Sequence, residues 1–173
     1  MDQRQVDVIE TRVQGALKVA IATAKREERG DAGYTRAVKE SLTGLGHELG
    51  YAVCASECKD ADNGEWLFDL TWVEERKLPA GGTDFIDMPL VVESEWNEDF
   101  EEEILADFDK LMVARACLRV MIFQGPDSQT KMHRFDELRE RIRTFAGSQA
   151  GDRYLFGFLN TAVLEMEFQS YVA

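Results

Sequence analysis

Apolar residues recur at intervals of three and four over residues 5–29, where Val6, Ile9, Val13, Leu17, Ala20, Ile21 and Ala24 form one stripe. That spacing predicts an amphipathic helix. Gly30-Asp31-Ala32-Gly33 breaks the pattern, and a second helix is expected over 34–48 with Tyr34, Ala37, Val38, Ser41, Leu45 and Leu49 inward. Gly50 then supplies a stop signal. The period changes after it. Residues 51–55, 66–73, 89–96 and 118–123 are short runs rich in β-branched and aromatic side chains, the composition of buried strands. Asp62-Asn63-Gly64 reads as a turn between the first two strands, and residues 74–88, with Pro79 and Gly81-Gly82, read as a loop.

Asn97 is placed to cap a third helix, with Glu98, Asp99, Glu101, Glu102 and Glu103 in its first turns, where negative charge complements the helix N-terminus. The apolar stripe of that helix is Phe100, Ile104, Phe108, Leu111 and Met112. Gly125-Pro126 ends the strand at 118–123. A fourth helix is expected over 128–147, with Met132, Phe135, Leu138, Ile142 and Phe145 inward and Lys131, Arg134, Arg141 and Arg143 outside the stripe. Residues 153–172 read as two strands joined near Asn160-Thr161. From 34 to 124 the order is helix, strand, strand, strand, helix, strand. Strands with two apolar faces beside helices imply a layered α/β or α+β sandwich.

A length of 173 residues suits a single domain with its own core, and no repeat or linker divides the chain. Hydrophobic residues make up 45% and charged residues 31%, which places the chain among globular proteins and outside the disordered ones. No apolar run approaches the ~20 residues of a membrane span. Met1-Asp2-Gln3-Arg4-Gln5 lacks the apolar core of a signal peptide, so a cytoplasmic location is expected. Cys54, Cys58 and Cys117 lack the companions of a zinc site and read as reduced structural thiols.

Charge changes the picture most. The net charge is −13, yet residues 57–109 alone hold 18 acidic and 3 basic residues, leaving a small positive balance elsewhere. Such acidity weighs against a nucleic-acid partner, because that affinity comes largely from Lys and Arg displacing counterions. Within the acidic block, Asp69 and then Glu93-Ser94-Glu95 fall inside two apolar strand runs, and Lys110 follows on the third helix. Glu93 and Glu95 share one strand face, since side chains alternate. A carboxylate among apolar neighbours is costly unless it is paired or bound to metal, and Mg²⁺ favours such oxygen ligands.

These residues and this element order resemble the PD-(D/E)XK nuclease-like superfamily, whose restriction-endonuclease-like fold has an αβββαβ core. The resemblance spans residues 33–124 and leaves the first helix, the 128–147 helix and the C-terminal hairpin as additions. The family's first catalytic acid lies on the second core strand, where Asp69 stands, and its (D/E)-X-K motif lies on the third, where Glu93-Ser94-Glu95 stands. The usual lysine is Glu95 here. Some members carry the lysine on the following helix, which makes Lys110 the substitute, and Glu40 is a candidate accessory acid on the first core helix. The resemblance implies Mg²⁺- or Mn²⁺-dependent hydrolysis of DNA or RNA phosphodiesters. Asp69, Glu93 and Glu95 would hold the metal, and Lys110 would orient water and balance phosphate charge.

Each piece also has a plainer reading. Asp69 is able to act as a cap or to pair with an arginine inside the fold, Glu93 and Glu95 to face solvent, and Lys110 to pair with Asp107 one turn away. Trp66, Trp72 and Trp96 read as core residues rather than base-stacking platforms. The alternative function is a non-catalytic nuclease-like fold that acts as an acidic protein-binding module or as a homodimer through the helices at 5–29 and 128–147.

Overall fold

Asp2 opens the first helix, α1 (Gln3–Arg26), with a capping box. Its carboxylate accepts from the Gln5 N–H at 2.8 Å, and the Gln5 side chain accepts from the Asp2 N–H at 2.9 Å. All seven stripe residues of α1 are buried. The computed structural model describes residues 1–27, 30–96 and 101–173, without the Glu101 side chain. The end expected for the first helix at 28–29, the Asn97 cap and the positions of Glu98, Asp99 and Phe100 therefore lie outside the described residues.

α2 (Asp31–Glu48) begins three residues before its expected start. Gly30 occupies the cap and Asp31 the first turn, where its charge is favourable, so the Gly-rich stretch starts the helix instead of separating two. β1 (Ala52–Ala55) follows, and then a long connection instead of a tight turn. Asp62 accepts from the Val53 N–H at 2.8 Å and meets His47 Nε2 at 2.8 Å, while Asn63 forms an isolated bridge with Cys54. β2 (Leu70–Lys77) and β3 (Thr83–Glu95) form a long antiparallel hairpin across the region expected to be a loop. Its turn uses Gly81 and Gly82 at φ of 92° and 86°, backbone that glycine adopts without penalty. Pro89 sits where the β2–β3 register shifts, between Trp72↔Leu90 and Glu74↔Asp87, so its missing N–H breaks no regular ladder there.

α3 (Glu101–Val113), β4 (Leu118–Gly125), α4 (Ser128–Thr144), β5 (Arg153–Asn160) and β6 (Glu165–Val172) complete the chain. The six strands form one mixed sheet in sequence order. The β3–β4 and β4–β5 pairs are parallel and the rest antiparallel. The protein is thus α+β, with four helices among the described residues. Alternation along the strands builds two cores. Leu90, Val92, Leu118, Val120 and Ile122 face α1 and α2, whereas Val91, Met121, Phe123, Phe156 and Phe158 face α3 and α4. No helix among the described residues is long and apolar enough to cross a membrane.

The phase of α4 differs from expectation. Met132 is exposed, and Arg134 is buried beside Phe135, Leu138 and Ile142. Long cationic stems cover apolar surface on that arc while their heads find carboxylates: Lys131 pairs with Glu167 of β6, and Arg134 with Glu137.

Candidate functional site

β2 begins at Leu70, so Asp69 lies just before the strand and not inside it; Trp66 and Leu67 ahead of it are exposed. Leu70 pairs with Val92, which sets Asp69 beside the end of β3. The Asp69 N–H donates to Glu93 Oε2 at 3.4 Å, and Asp69 Oδ2 accepts from both the Ser94 N–H at 2.9 Å and Ser94 Oγ at 2.8 Å. The two acids separated by 24 positions therefore share one spot at the carboxyl end of β3.

Glu93 follows Val91 on the face that carries α3. Lys110 leans back along α3 and brings Nζ to 2.5 Å from Glu93 Oε1, and also to 2.9 Å from Asp107 Oδ1. Lys110 thus makes the pair with Asp107 that the plainer reading expected, and reaches Glu93 of β3 as well. The Glu93 side chain is only 4% exposed, and Oε1 keeps a charge contact without an aligned hydrogen bond. Burial drives the Glu93 carboxyl up to about 7. Lys110 opposes this rise and the Asp69 charge adds to it. Burial also works against the Lys110 charge, but Glu93 and Asp107 outweigh it and hold the ammonium above its usual range.

A second lysine enters from the opposite layer. Lys39 of α2 is buried, with Nζ 3.4 Å from Asp69 Oδ1, 3.4 Å from Glu65 Oε2 and 3.1 Å from Ser56 Oγ. Ser56 in turn donates to Glu65 at 2.5 Å. The Ser56 hydroxyl holds the Glu65 carboxyl below its ordinary value against the effect of burial, with Lys39 and Lys110 both adding to the lowering. Lys39, Ser56, Glu65, Asp69, Ser94, Glu93, Lys110 and Asp107 thus form one network across the end of the sheet where β2 begins and β3 finishes. The plainer reading of Asp69 expected an arginine partner; the partner is Lys39.

Sequence reasoning brought Asp69, Glu93 and Lys110 together and missed Lys39, Ser56 and Glu65. Glu95 ends β3 two residues beyond Glu93 and is half-buried. Glu40 is exposed on α2, next to the buried Lys39. Among the described residues no three His, Cys, Asp or Glu side chains stand together as a metal-holding group. What the site offers a cation is a pair of carboxylates, Asp69 and Glu93, each already facing an ammonium. Two carboxylates suit Mg²⁺ in the form it takes with substrate phosphates and water completing its shell.

Among the described residues, the surroundings do not form a continuous basic rim. Arg119 is buried and committed to the Ala114 carbonyl, at 2.7 Å, and to Asp152, at 3.1 Å. On α4, Arg139 pairs with Asp136, Arg141 with Asp109 and Arg143 with Glu140. No protein-family model matches the chain, and no curated protein or solved structure matches it either.

Proposed function

We propose that the chain is a metal-dependent nuclease of the restriction-endonuclease-like kind, with its lysine displaced onto α3. The observation that carries this reading is the 2.5 Å contact between Lys110 Nζ and Glu93 Oε1, made by a lysine 17 positions from its partner. Further support comes from the α2-β1-β2-β3-α3-β4 order with β3 parallel to β4, and from Asp69 lying beside the end of β3. Asp69 and Glu93 would hold Mg²⁺ or Mn²⁺, with Glu95 as a further ligand or general base. Such an ion, when bound, acidifies water and offsets charge on a phosphate. Lys110 would offer its ammonium to the scissile phosphate. Lys39 would fix the Asp69 carboxylate through Oδ1 while Ser94 fixes Oδ2.

Calorimetry with Mg²⁺ or Mn²⁺ alone tests the site. Binding in the micromolar-to-millimolar range that disappears in Asp69→Ala and Glu93→Ala, together with metal-dependent cleavage of DNA or RNA that is lost in the same variants, is the expected result. A second reading has its own observation: Asp69 and Glu93 each already face a lysine without any ion. On that reading the chain keeps a nuclease-like fold as an acidic protein-binding or dimerising module. Absence of metal binding and of cleavage, with both variants folded and as stable as the wild type, would favour it.

A further inference from the structure

Trp66 was expected in the core, but it is 61% exposed, whereas Trp72 and Trp96 are buried. Its chain neighbour Leu67 is 58% exposed as well, and an exposed apolar patch marks an interaction site more often than a lone side chain does. Trp66 packs edge-on against Phe85 of the β2–β3 hairpin, with centroids 5.7 Å apart and planes at 66°, and Phe85 is itself 54% exposed. In an edge-on pair, the ring that offers its edge keeps both of its own faces clear of its partner. A groove of about 320 Å³ runs beside Trp66. It is lined by Trp66, Leu67 and Phe68, the segment that leads into Asp69, by Met88 of β3, and by Val113, Ala114 and Arg115 at and just beyond the end of α3. The groove therefore shares its lining with segments that deliver the candidate site. Arg115 is exposed, and its hydrogen bond is to the neutral Gln149, so its charge is not cancelled by that contact.

We propose that this groove is a platform for single-stranded nucleic acid, with unpaired bases against Trp66 and Phe85 and the backbone turned toward Arg115 and Lys110. The proposal rests on the nuclease reading above and names its substrate class. Open aromatic faces beside one or two cations match a base and its phosphate. The acidic block denies a duplex the extended line of phosphate contacts it needs, and a duplex keeps its bases stacked on each other and out of reach of the rings. Stacking tolerates the acidity because it depends little on charge.

The test is binding in chelator, so that cleavage plays no part. Anisotropy of fluorescein-labelled oligothymidylate and oligouridylate is measured against the wild type, Trp66→Ala, Phe85→Ala and Arg115→Gln, all at exposed positions. Expected are saturable single-strand binding, weakening of about tenfold or more in Trp66→Ala, and markedly weaker binding of a duplex of the same length. Tryptophan emission gives an independent readout, because Trp66 is the one exposed tryptophan of the three. The proposal is overturned if no single strand binds, if Trp66→Ala binds as well as the wild type, or if the duplex binds equally. Single-strand binding without cleavage in Mg²⁺ or Mn²⁺ removes the nuclease reading and leaves the platform. Metal-dependent cleavage with binding indifferent to Trp66 removes the platform and leaves the nuclease.

Discussion

A carboxyl group with its side chain 4% exposed holds its proton longer than a free one, and this couples Glu93 to the stability of the whole chain. Its ordinary value is 4.5 and its folded value about 7, so between these the folded state carries a proton that the unfolded state has lost. The resulting stabilisation is complete below the unfolded value and disappears as pH rises through the folded one. Urea midpoints of the wild type should therefore fall from pH 5 to pH 8 more steeply than those of Glu93→Gln, the difference reaching about 1–3 kcal/mol. Parallel pH profiles for the two proteins would refute the assignment. Lys39 makes a second residue-scale prediction. Replacing it by Met leaves Asp69 and Glu65 without their cation and should cost about 1–3 kcal/mol, less than breaking a fully buried pair because both carboxylates retain some solvent. Adding Asp69→Asn to Lys39→Met should restore part of the loss in a double-mutant cycle; strict additivity would mean the two do not interact. Glu93 and Lys110 were legible because strand alternation and helical spacing fix the side each presents. Lys39 was not, since a lysine on a helix ordinarily reads as solvated. The available signal was that Thr43 and Gly46, four and seven positions on, share its flank and leave room for a buried stem.

At the scale of elements, α2 is pressed against the sheet at one point. A Cβ on Gly46 would lie 2.7 Å from both Trp72 Nε1 and Val53 Cγ2, atoms held by the core and by the Trp72 Nε1 hydrogen bond to the Leu42 carbonyl at 3.0 Å. Gly46→Ala should therefore destabilise the protein by about 1–3 kcal/mol despite the better helix propensity of alanine. Gly44 lies in the same helix with nothing within 4 Å of its would-be Cβ, so Gly44→Ala should stabilise by about 0.5–1 kcal/mol. Urea unfolding of the pair separates close approach from propensity; equal effects would mean α2 is free to shift away from Trp72. The same physics decides what was readable. α1 was legible residue by residue because one face meets a continuous apolar sheet. The outer half of the β2–β3 hairpin was not, because Glu74–Lys77 and Thr83–Ile86 are largely solvated on both faces and carry no apolar alternation. In α4 the inward arc includes Lys131 and Arg134, whose stems do the covering that hydrophobic residues do elsewhere.

Across the whole molecule, the order helix, strand, strand, strand, helix, strand was legible because each period change is sharp, but the parallel extension of the sheet through β5 depends on pairing between segments distant in sequence. Charge, by contrast, is fixed by composition, and folding only distributes it. The acidic block from 57 to 109 becomes the β2–β3 hairpin, the segment leading into Asp69, and α3, which together surround the candidate site. Arg115 lines the proposed platform and Lys110 stands about a turn before it, held by Glu93 and Asp107, while Arg76 near Phe85, Arg119 and the arginines of α4 are matched by carboxylates. Each phosphate neutralised on a single strand contributes about −0.7 to the slope of log affinity against log salt. Two cations therefore allow a slope no steeper than about −1.4, while stacking on Trp66 and Phe85 adds affinity without salt dependence. Titrations of oligothymidylate across a range of NaCl should give that shallow line, and Arg115→Gln should flatten it by about half. A slope several times steeper would require a basic surface that the described residues do not supply near the groove, and would move the search for the binding face to the other end of the charge distribution, outside residues 57–109.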